Sequence, residues 1–171
     1  LAGNFGELRA NHFHGGLDMK TQGREGLNIY AAAEGYISRI KISPWGYGKT
    51  IYIDHPNGYT TVYAHLQKFK GDIALKIKAQ QYELESWEMD WYPSDTLMQV
   101  KKGDLIALSG NTGGSGGPHL HFEIRDTKTE HPINPLLFGF DIKDNIKPLI
   151  KSIIVTPLND TSFVNNKQKG Q

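Results

Sequence analysis

The alternation of apolar and polar positions predicts a fold of short antiparallel β-strands joined by turns. Between residues 28 and 65 the two kinds of side chain alternate over several short runs, as in strands that bury one face. Asn57 and Gly58 separate two of these runs and are typical of a tight hairpin. The alternation places His65 at a strand end facing a groove, whereas His55, beside the turn, is expected at the surface. The predicted strands are 28–33, 36–42, 49–55 and 59–65.

The region from about 70 to 99 breaks this rhythm and predicts an insert with one short helix. Residues 72–81 can form that helix. Its partly buried residues are expected to be Ile73, Leu75 and Ile77. The alternating segment 85–92 then predicts a strand or ribbon with a large apolar stripe on one face, made of Trp87, Met89 and Trp91. Such a stripe either packs against the core or lines a substrate cleft, and packing is the more common outcome.

The second half of the chain returns to β structure and ends in an extension. A strand is predicted at 105–109, and a glycine-rich loop then leads into another strand at 119–124. The first domain is expected to comprise residues 1–140. The extension, 141–171, holds one apolar strand, 150–155, and a polar tail. This strand is predicted either to begin a β-sandwich domain that is cut short or to extend the main sheet.

The composition is that of a soluble globular domain and narrows the choice of chemistry. The 171 residues are enough for one good core with an appendage. The formal net charge of +1, with no block of like charge, does not suggest a nucleic-acid groove. The chain has no cysteine, so any metal must be held by His, Asp or Glu.

The ends of the chain and its apolar runs say little about where in or outside the cell the protein works. No run approaches the ~18 apolar residues that a membrane helix needs. The sequence begins at Leu1 rather than at Met, so it is expected to be a processed or trimmed piece. The missing export signal therefore means little.

The most concentrated candidate chemistry lies at 116–124, where a glycine-rich turn leads into a strand carrying His119 and His121. Side chains two apart on a strand point to the same face, about 7 Å apart at the Cα atoms. The two imidazoles can therefore share a metal centre. The pair is weak evidence alone, because the seven histidines of this chain include a second such pair, His12 and His14.

A second candidate element is the spacing of His14 and Asp18, which lie four residues apart. On a helix this spacing would place them on one face, but Gly15 and Gly16 argue against a helix. A tight loop that returns into a short strand is predicted instead, and it could bring the imidazole and the carboxylate to the same point. The alternative is that Asp18 only caps a turn.

Three motifs in a fixed order carry more information than any one of them. They are His14-x-x-x-Asp18, Tyr63-Ala-His65-Leu66 and Gly-Pro-His119-Leu-His121-Phe-Glu. Together with the stretch 100–113, they make residues 4 to 138 resemble the lysostaphin-type (LytM-type) zinc metallopeptidases. The resemblance implies a mainly β fold with a compact antiparallel sheet or half-barrel core and long loops.

The resemblance also implies a role for each motif residue. Zinc would be bound by His14, Asp18 and His121, while His65 and His119 would act in catalysis. Two imidazoles and one carboxylate suit catalytic zinc, because they leave a fourth position open for water.

Some positions near these motifs are not assigned by the resemblance. His12 is not a ligand position of the family and is interpreted as a neighbour that adjusts the site or the surface. The family's oxyanion-stabilising tyrosine has no assigned position in this chain. The insert at about 70–99 is longer than in compact family members, which leaves the cleft shape open.

The function implied by the resemblance is zinc-dependent endopeptidase activity on bacterial peptidoglycan. A zinc-bound water would attack a peptide bond of the stem peptide or cross-bridge, and the two unligated imidazoles would move protons. Such a protein would work in the cell envelope, either in the periplasm or after secretion.

Three other interpretations remain open. Some relatives of this family lack the zinc residues and activate other wall hydrolases, so the chain could be a non-catalytic scaffold, although all five positions are filled here. Gly-Asp-Leu-Ile-Ala in a small sheet is also found in lipoyl or biotinyl carrier modules, but no lysine stands at a suitable hairpin tip. The third alternative is a binding β domain with incidental histidines.

Overall fold

The computed structural model describes residues 1–10, 12–140, 142, 149, 150, 153, 155, 156 and 161. The chain is mainly β, as predicted, with one helix, α1 (Gly71–Glu83), and a 3₁₀ helix (Pro135–Phe138). The described strands are β1 (Leu17–Lys20), β2 (Asn28–Tyr30), β3 (Gly35–Ile42), β4 (Lys49–Asp54), β5 (Tyr59–Ala64), β6 (Leu66–Phe69), β7 (Met89–Trp91), β8 (Gln99–Val100), β9 (Leu105–Ser109), β10 (His119–Asp126) and β11 (Pro132–Ile133).

The described strands form two open antiparallel sheets rather than a closed barrel. The larger sheet has the order β1-β10-β5-β4-β3-β7, with β11 beside β10 and β8 beside β3. The smaller sheet has the order β2-β9-β6. A single buried apolar cluster contains residues of both sheets and of α1, so it holds the layers together. The prediction of an antiparallel half-barrel core is confirmed.

Alternation along β10 decides which face carries chemistry. Leu120, Phe122 and Ile124 are buried in the core cluster. Because side chains alternate along a strand, His121 and Glu123 point to the opposite face of the sheet. Both of these polar side chains are nevertheless buried, since loops from other parts of the chain cover that face.

The insert contains the predicted helix, but its buried face differs from the prediction. Ile77 is buried and Ile73 packs against the core, whereas Leu75 is 67% exposed. A helix has a period of 3.6 residues, so positions 73 and 77 share a face and position 75 cannot join them.

After the helix, only a short part of the predicted ribbon pairs with the main sheet. The strand β7 is hydrogen-bonded to β3, with Met89 opposite Ile42. Met89 is buried and Trp91 packs against the core, whereas Trp87 is 57% exposed. The packing interpretation of the apolar stripe therefore holds for two of its three members.

The expected surface position of His55 is wrong. Its side chain is buried, with Nδ1 2.6 Å from the carbonyl oxygen of Glu34 and Nε2 2.8 Å from Oγ1 of Thr61. The hairpin turn is present, since the amide of Gly58 donates to the carbonyl oxygen of His55 at 3.1 Å. The turn folds the imidazole inwards, where Glu34, immediately before β3, supplies an acceptor that local sequence does not reveal.

The segment that ends at Phe140 packs back onto the main sheet. Phe138 lies edge-on against Tyr59, and Phe140 lies against Phe122. The predicted strand 150–155 falls largely outside the described residues, and so does most of the extension 141–171. The domain boundary and the nature of the extension therefore stay predictions. Among the described residues, no helix has the length and apolar character needed to cross a membrane.

Two glycine-containing loops are packed tightly against each other beside the polar face of β10. The amide of Gly114 donates to the carbonyl oxygen of Gly46 at 2.7 Å. Gly113 has a φ of +74°, and a Cβ there would lie 2.4 Å from that carbonyl oxygen and 2.4 Å from the amide nitrogen of Gly48. Only glycine fits this backbone conformation and this close approach.

The Gly113→Ala substitution is expected to lower the free energy of unfolding by about 2 kcal/mol, because it adds both a strained φ and a backbone clash. Gly116 in the same loop is the matched control, since a Cβ there meets nothing within 4 Å. The Gly116→Ala variant should stay within about 0.5 kcal/mol of the wild type. Urea unfolding of the three proteins measures this, and equal stabilities would contradict the packing described.

Candidate metal centre

The pairing of β1 with β10 brings the first three candidate residues together. Asp18 lies directly opposite His121 in this antiparallel pair. His14 precedes β1 in a loop that is hydrogen-bonded to the N-terminal segment. The backbone amide of His14 donates to the carbonyl oxygen of Glu7, and the amide of Gly6 donates to the carbonyl oxygen of His14, both at 2.8 Å. The predicted loop that returns into a short strand is therefore present. All three side chains are buried.

One potential ligand atom from each residue faces a common point. His14 Nε2 and His121 Nδ1 are 2.9 Å apart, and Asp18 Oδ1 lies 2.9 Å from His121 Nδ1 and 3.0 Å from His14 Nε2. The structure thus brings together the three residues predicted as ligands, and among the described residues they form a group that could hold a metal ion.

The hydrogen bonds on the far side of each imidazole favour a cation at this point. His14 Nδ1 lies 2.8 Å from the carbonyl oxygen of Asn4, which can only accept, so that nitrogen carries the hydrogen. His121 Nε2 lies 2.8 Å from Oε1 of Glu123, which fixes the hydrogen there in the same way. In the neutral rings the two facing nitrogens then both present lone pairs to the carboxylate of Asp18. Only a shared proton or a metal ion relieves this repulsion, so the residues fit a divalent metal.

The charges of the cluster keep its acid ionised. Burial opposes ionisation of Asp18, but hydrogen bonds from His119 and His121 and the charge of His14 outweigh it and hold the pKa of the carboxyl well below its usual range. Burial likewise opposes protonation of His121, but Asp18 and Glu123 raise its pKa overall. Metal binding must therefore compete with a proton on His121.

A buried network behind His121 was not predicted from the sequence. Glu123 is fully buried; it accepts hydrogen bonds from the hydroxyl of Tyr47 and, at 2.6 Å, from Nε of Arg125. Burial raises the pKa of Glu123, but His121 and Arg125 outweigh this effect and lower it. The spacing of two between His121 and Glu123 on one strand face could have indicated this contact. A carboxylate bonded to the outer nitrogen of a ligating imidazole fixes its tautomer and orientation.

Arg9 is a second site residue that the sequence did not reveal. Its Nη2 donates to Oδ2 of Asp18 at 2.9 Å. This contact holds one carboxylate oxygen and leaves Oδ1 for the centre. The leading loop that contains Arg9 reaches Asp18 because Gly3 and Asp18 form a β-bridge.

The other two predicted residues lie beside this centre. His65 has a φ of +58°, which turns it away from the end of β5, and its Nδ1 lies 2.8 Å from the carbonyl oxygen of Thr112. His119 Nδ1 lies 2.8 Å from the carbonyl oxygen of Gly117. Each ring therefore holds a hydrogen on Nδ1 and can use Nε2 for proton transfer. The centroids of the two rings are 4.7 Å apart.

The two imidazoles differ in their affinity for protons. Burial lowers the pKa of His65 to about 4, and the hydrogen bond to Thr112 only partly opposes this effect. The pKa of His119 is raised, chiefly by Asp18, whose Oδ1 lies 3.4 Å from its Nε2. Near neutral pH, His65 is therefore uncharged.

All five residues line one cavity of about 380 Å³. Arg9 and Tyr47 also line this cavity, and so does His12, which the sequence analysis interpreted as a neighbour of the site. The structure thus places the five predicted residues together. Their division into three ligands and two proton-transfer groups stays a prediction.

The Glu123→Gln substitution should weaken zinc binding by about 10- to 100-fold, because the outer nitrogen of His121 loses its carboxylate partner. Competition with a chromogenic chelator measures the dissociation constant on protein that circular dichroism shows to be folded. Glu25→Gln, at an exposed position, is the control and should leave the constant unchanged. An unaltered constant in Glu123→Gln would rule out this role.

In protein stripped of metal, His65 should make stability depend on pH between about 6.5 and 4. Its pKa is about 4 when folded and 6.5 in the reference state, so over this window the unfolded chain binds a proton that the folded protein does not. Stability therefore falls as the pH falls, by about 3 kcal/mol for this group.

The His65→Asn variant isolates this effect, because Asn tolerates a positive φ and does not titrate. Chemical unfolding at several pH values should show the extra loss in the wild type alone. Parallel curves for the two proteins would contradict the low pKa of His65.

Comparison with known proteins finds relatives that cover most of this chain. DD-carboxypeptidase/endopeptidase Mpg of Neisseria meningitidis serogroup B is 32% identical over 129 residues, covering 75% of this chain and 23% of that protein. The structure of LytU has 28% identity and a TM-score of 0.57, covering 80% of this chain and 81% of that one. The structure of a zinc containing peptidase from Vibrio cholerae has 28% identity and a TM-score of 0.52, covering 71% of this chain and 29% of that one.

The chain spans about a sixth to a third of the length of the curated relatives that it matches. The family model described as Peptidase family M23 matches residues 12–82 and 93–135. These stretches make up most of the chain and include all five predicted site residues. The chain therefore belongs to Peptidase family M23.

Proposed function

We propose that this protein is a zinc-dependent endopeptidase that hydrolyses peptide bonds in bacterial peptidoglycan. The observation that carries the proposal is the convergence of His14, Asp18 and His121 on one point, with two further imidazoles on the same cavity. A metal centre with adjacent groups that can move protons is what amide hydrolysis needs.

The relatives support both parts of this proposal. Mpg is named as a carboxypeptidase and endopeptidase, and the similar Vibrio cholerae protein is described as containing zinc. Two imidazoles and one carboxylate form a ligand set found at catalytic zinc sites. We therefore assign zinc to His14, Asp18 and His121.

The mechanism assigns a separate task to each remaining imidazole. Zinc, when bound, supplies Lewis acidity that activates water and polarises the scissile carbonyl group. His65 is neutral near pH 7, and its Nδ1 is held by the carbonyl oxygen of Thr112, so Nε2 can accept a proton as general base. His119 faces the same cavity through Nε2 and passes a proton to the leaving amine. Glu123 and Arg9 keep His121 and Asp18 in their orientations.

The substrate class determines where the protein must work. Peptidoglycan lies outside the cytoplasmic membrane, so we place the protein in the cell envelope, in the periplasm or secreted. The bond cleaved belongs to the stem peptide or to the cross-bridge. The cavity of about 380 Å³ beside the candidate ligands has room for part of a peptide substrate.

Purified peptidoglycan incubated with the zinc-loaded protein should release peptide fragments, detected by mass spectrometry as new chain ends. A chelator should abolish the release and added zinc should restore it. A scaffold that activates other hydrolases would release nothing by itself. The absence of products from zinc-loaded, folded protein would therefore overturn the proposed activity.

The His65→Ala and His119→Ala variants should each retain one zinc per chain but lose turnover by about 10²- to 10⁴-fold, the usual contribution of a proton-transfer group. His131→Ala, at an exposed position of the same fold, is the matched control and should be fully active. Elemental analysis gives the zinc content. Full activity in His119→Ala would remove it from the mechanism.

A further inference from the structure

The insert carries an open cavity of its own, which shares no lining residue with the metal cavity. This aromatic cavity has a volume of about 370 Å³ and lies where the end of α1 meets the loop 84–88. Its largest lining side chains are Tyr82, which is 72% exposed, and Trp87, which is 57% exposed. Exposed apolar surface that is rimmed by polar groups marks an interaction site.

Backbone hydrogen bonds hold the two aromatic residues around this cavity. The amide of Glu85 donates to the carbonyl oxygen of Tyr82 at 3.2 Å, and the amide of Ser86 donates to that of Gln81 at 3.1 Å. Nε2 of Gln81 also donates to the carbonyl oxygen of Trp87 at 2.7 Å. These bonds fold the loop back onto the last turn of α1. The site is therefore formed before a ligand arrives, which lowers the entropic cost of binding.

Polar groups are interleaved with the two rings. The hydroxyl of Tyr82, the indole N–H of Trp87 and the carboxylate of Glu85 make no hydrogen bond within the part of the chain that the structure describes. The ammonium of Lys78 lies 5.7 Å from the ring centroid of Tyr82. The aromatic cavity thus combines flat apolar faces with donors and an acceptor that a ligand can use.

The charges around the aromatic cavity favour an uncharged ligand. Between residues 78 and 88 the only cation is Lys78, whereas Glu83, Glu85 and Glu88 are acidic, and all four side chains are exposed. This excess of negative charge repels an anionic membrane surface, although exposed tryptophan and tyrosine would otherwise suit one. It repels nucleic acid for the same reason.

A short chain of contacts joins the aromatic cavity to the edge of the metal cavity. The ring centroid of Trp87 lies 6.0 Å from Nζ of Lys49. The amide of Lys49 donates to Oγ1 of Thr112 at 3.0 Å, and the carbonyl oxygen of Thr112 accepts from Nδ1 of His65. The aromatic cavity therefore lies on the His65 side of the metal cavity, where a polymer can contact both.

Part of this cavity is particular to this chain. The family model matches residues 12–82 and 93–135, so Glu85, Ser86 and Trp87 fall between the two stretches. The insert therefore supplies the aromatic cavity with side chains that lie outside the matched part of the fold.

A sugar is the uncharged ligand whose chemistry matches these groups. One face of a pyranose ring presents C–H groups that stack on an aromatic ring, and its edge presents hydroxyls that exchange hydrogen bonds. An N-acetyl substituent adds a methyl group and an amide. Tyrosine and tryptophan offer large, rigid and amphipathic contact surfaces to such ligands.

We infer that the aromatic cavity binds N-acetylated sugars of a glycan strand, the polymer to which the cleaved peptide is attached. The inference rests on the proposed function and assigns it a second, saccharide-binding site. The sugar rings stack on Tyr82 and Trp87, Glu85 accepts hydrogen bonds from hydroxyls, and Lys78 donates to the acetamido oxygen.

Nuclear magnetic resonance of the zinc-loaded protein with tri-N-acetylchitotriose tests the inference. The chain contains three tryptophans, Trp45, Trp87 and Trp91, so it gives three indole N–H signals that the corresponding variants assign. The trisaccharide should shift the Trp87 signal in a saturable way and leave the Trp45 signal in place. No shift, or a shift of Trp45 without Trp87, would overturn the inference.

Matched variants locate the binding site. Trp87→Ala and Tyr82→Ala should each weaken trisaccharide binding by about tenfold, the loss expected for an aromatic anchor. Trp45→Ala and Tyr30→Ala remove rings that are 78% and 50% exposed at other places and should leave binding unchanged. Equal losses in both pairs would contradict the site. If a variant folded poorly, the Trp87 signal of the wild type would still decide.

A membrane is the competing occupant of this surface. Sedimentation with vesicles of phosphatidylcholine and phosphatidylglycerol should leave the protein in solution. Vesicle binding that Trp87→Ala abolishes, together with no response to the trisaccharide, would overturn the saccharide assignment.

The test is independent of hydrolysis. If peptidoglycan is cleaved but the trisaccharide does not bind, the inference fails and the proposed function stands. If the trisaccharide binds at Trp87 but the zinc-loaded protein releases no fragments, the proposed function fails and the aromatic cavity remains a saccharide site.

Discussion

The register between β1 and β10 is the constraint on which the rest of the site depends. It sets Asp18 opposite His121, and because a strand alternates faces, it also sends both side chains to the face opposite the core. A slip of one residue would turn Asp18 towards the apolar cluster and leave the imidazoles without a carboxylate. Leu17, which is buried, and Met19, which packs against the core, prevent that slip, since it would turn them to the polar face. The packing of the apolar face of these strands therefore fixes the positions of Asp18 and His121 on the polar face.

The polar face is stable only because its buried groups satisfy one another. Glu123 has no solvent exposure and is matched by Tyr47, Arg125 and His121. A buried carboxylate without such partners would be strongly destabilising. The network also runs along β10, because Glu123 contacts the candidate metal ligand His121 on one side and Arg125 on the other.

The insert adds a helix and an edge strand to the fold, and neither of them carries one of the three candidate metal ligands. Its helix packs on the smaller sheet side, while β7 joins the edge of the main sheet beside β3. That edge position lets Asp90 accept two hydrogen bonds from Arg39 of β3. A short addition can join the sheet there because an edge strand presents unpaired backbone groups that accept a new strand.

The sequence alone determined the β-strands, the hairpin at Asn57 and the sharing of a face by His119 and His121. These features depend on local periodicity and turn chemistry, which act over a few residues. The order of three motifs also indicated which side chains would meet. Only the tertiary structure decided that Arg9 would hold Asp18 and that Tyr47 would contact Glu123. It also decided that His55 would be buried, because each of these contacts joins segments whose approach is set by core packing and strand register, not by neighbouring residues.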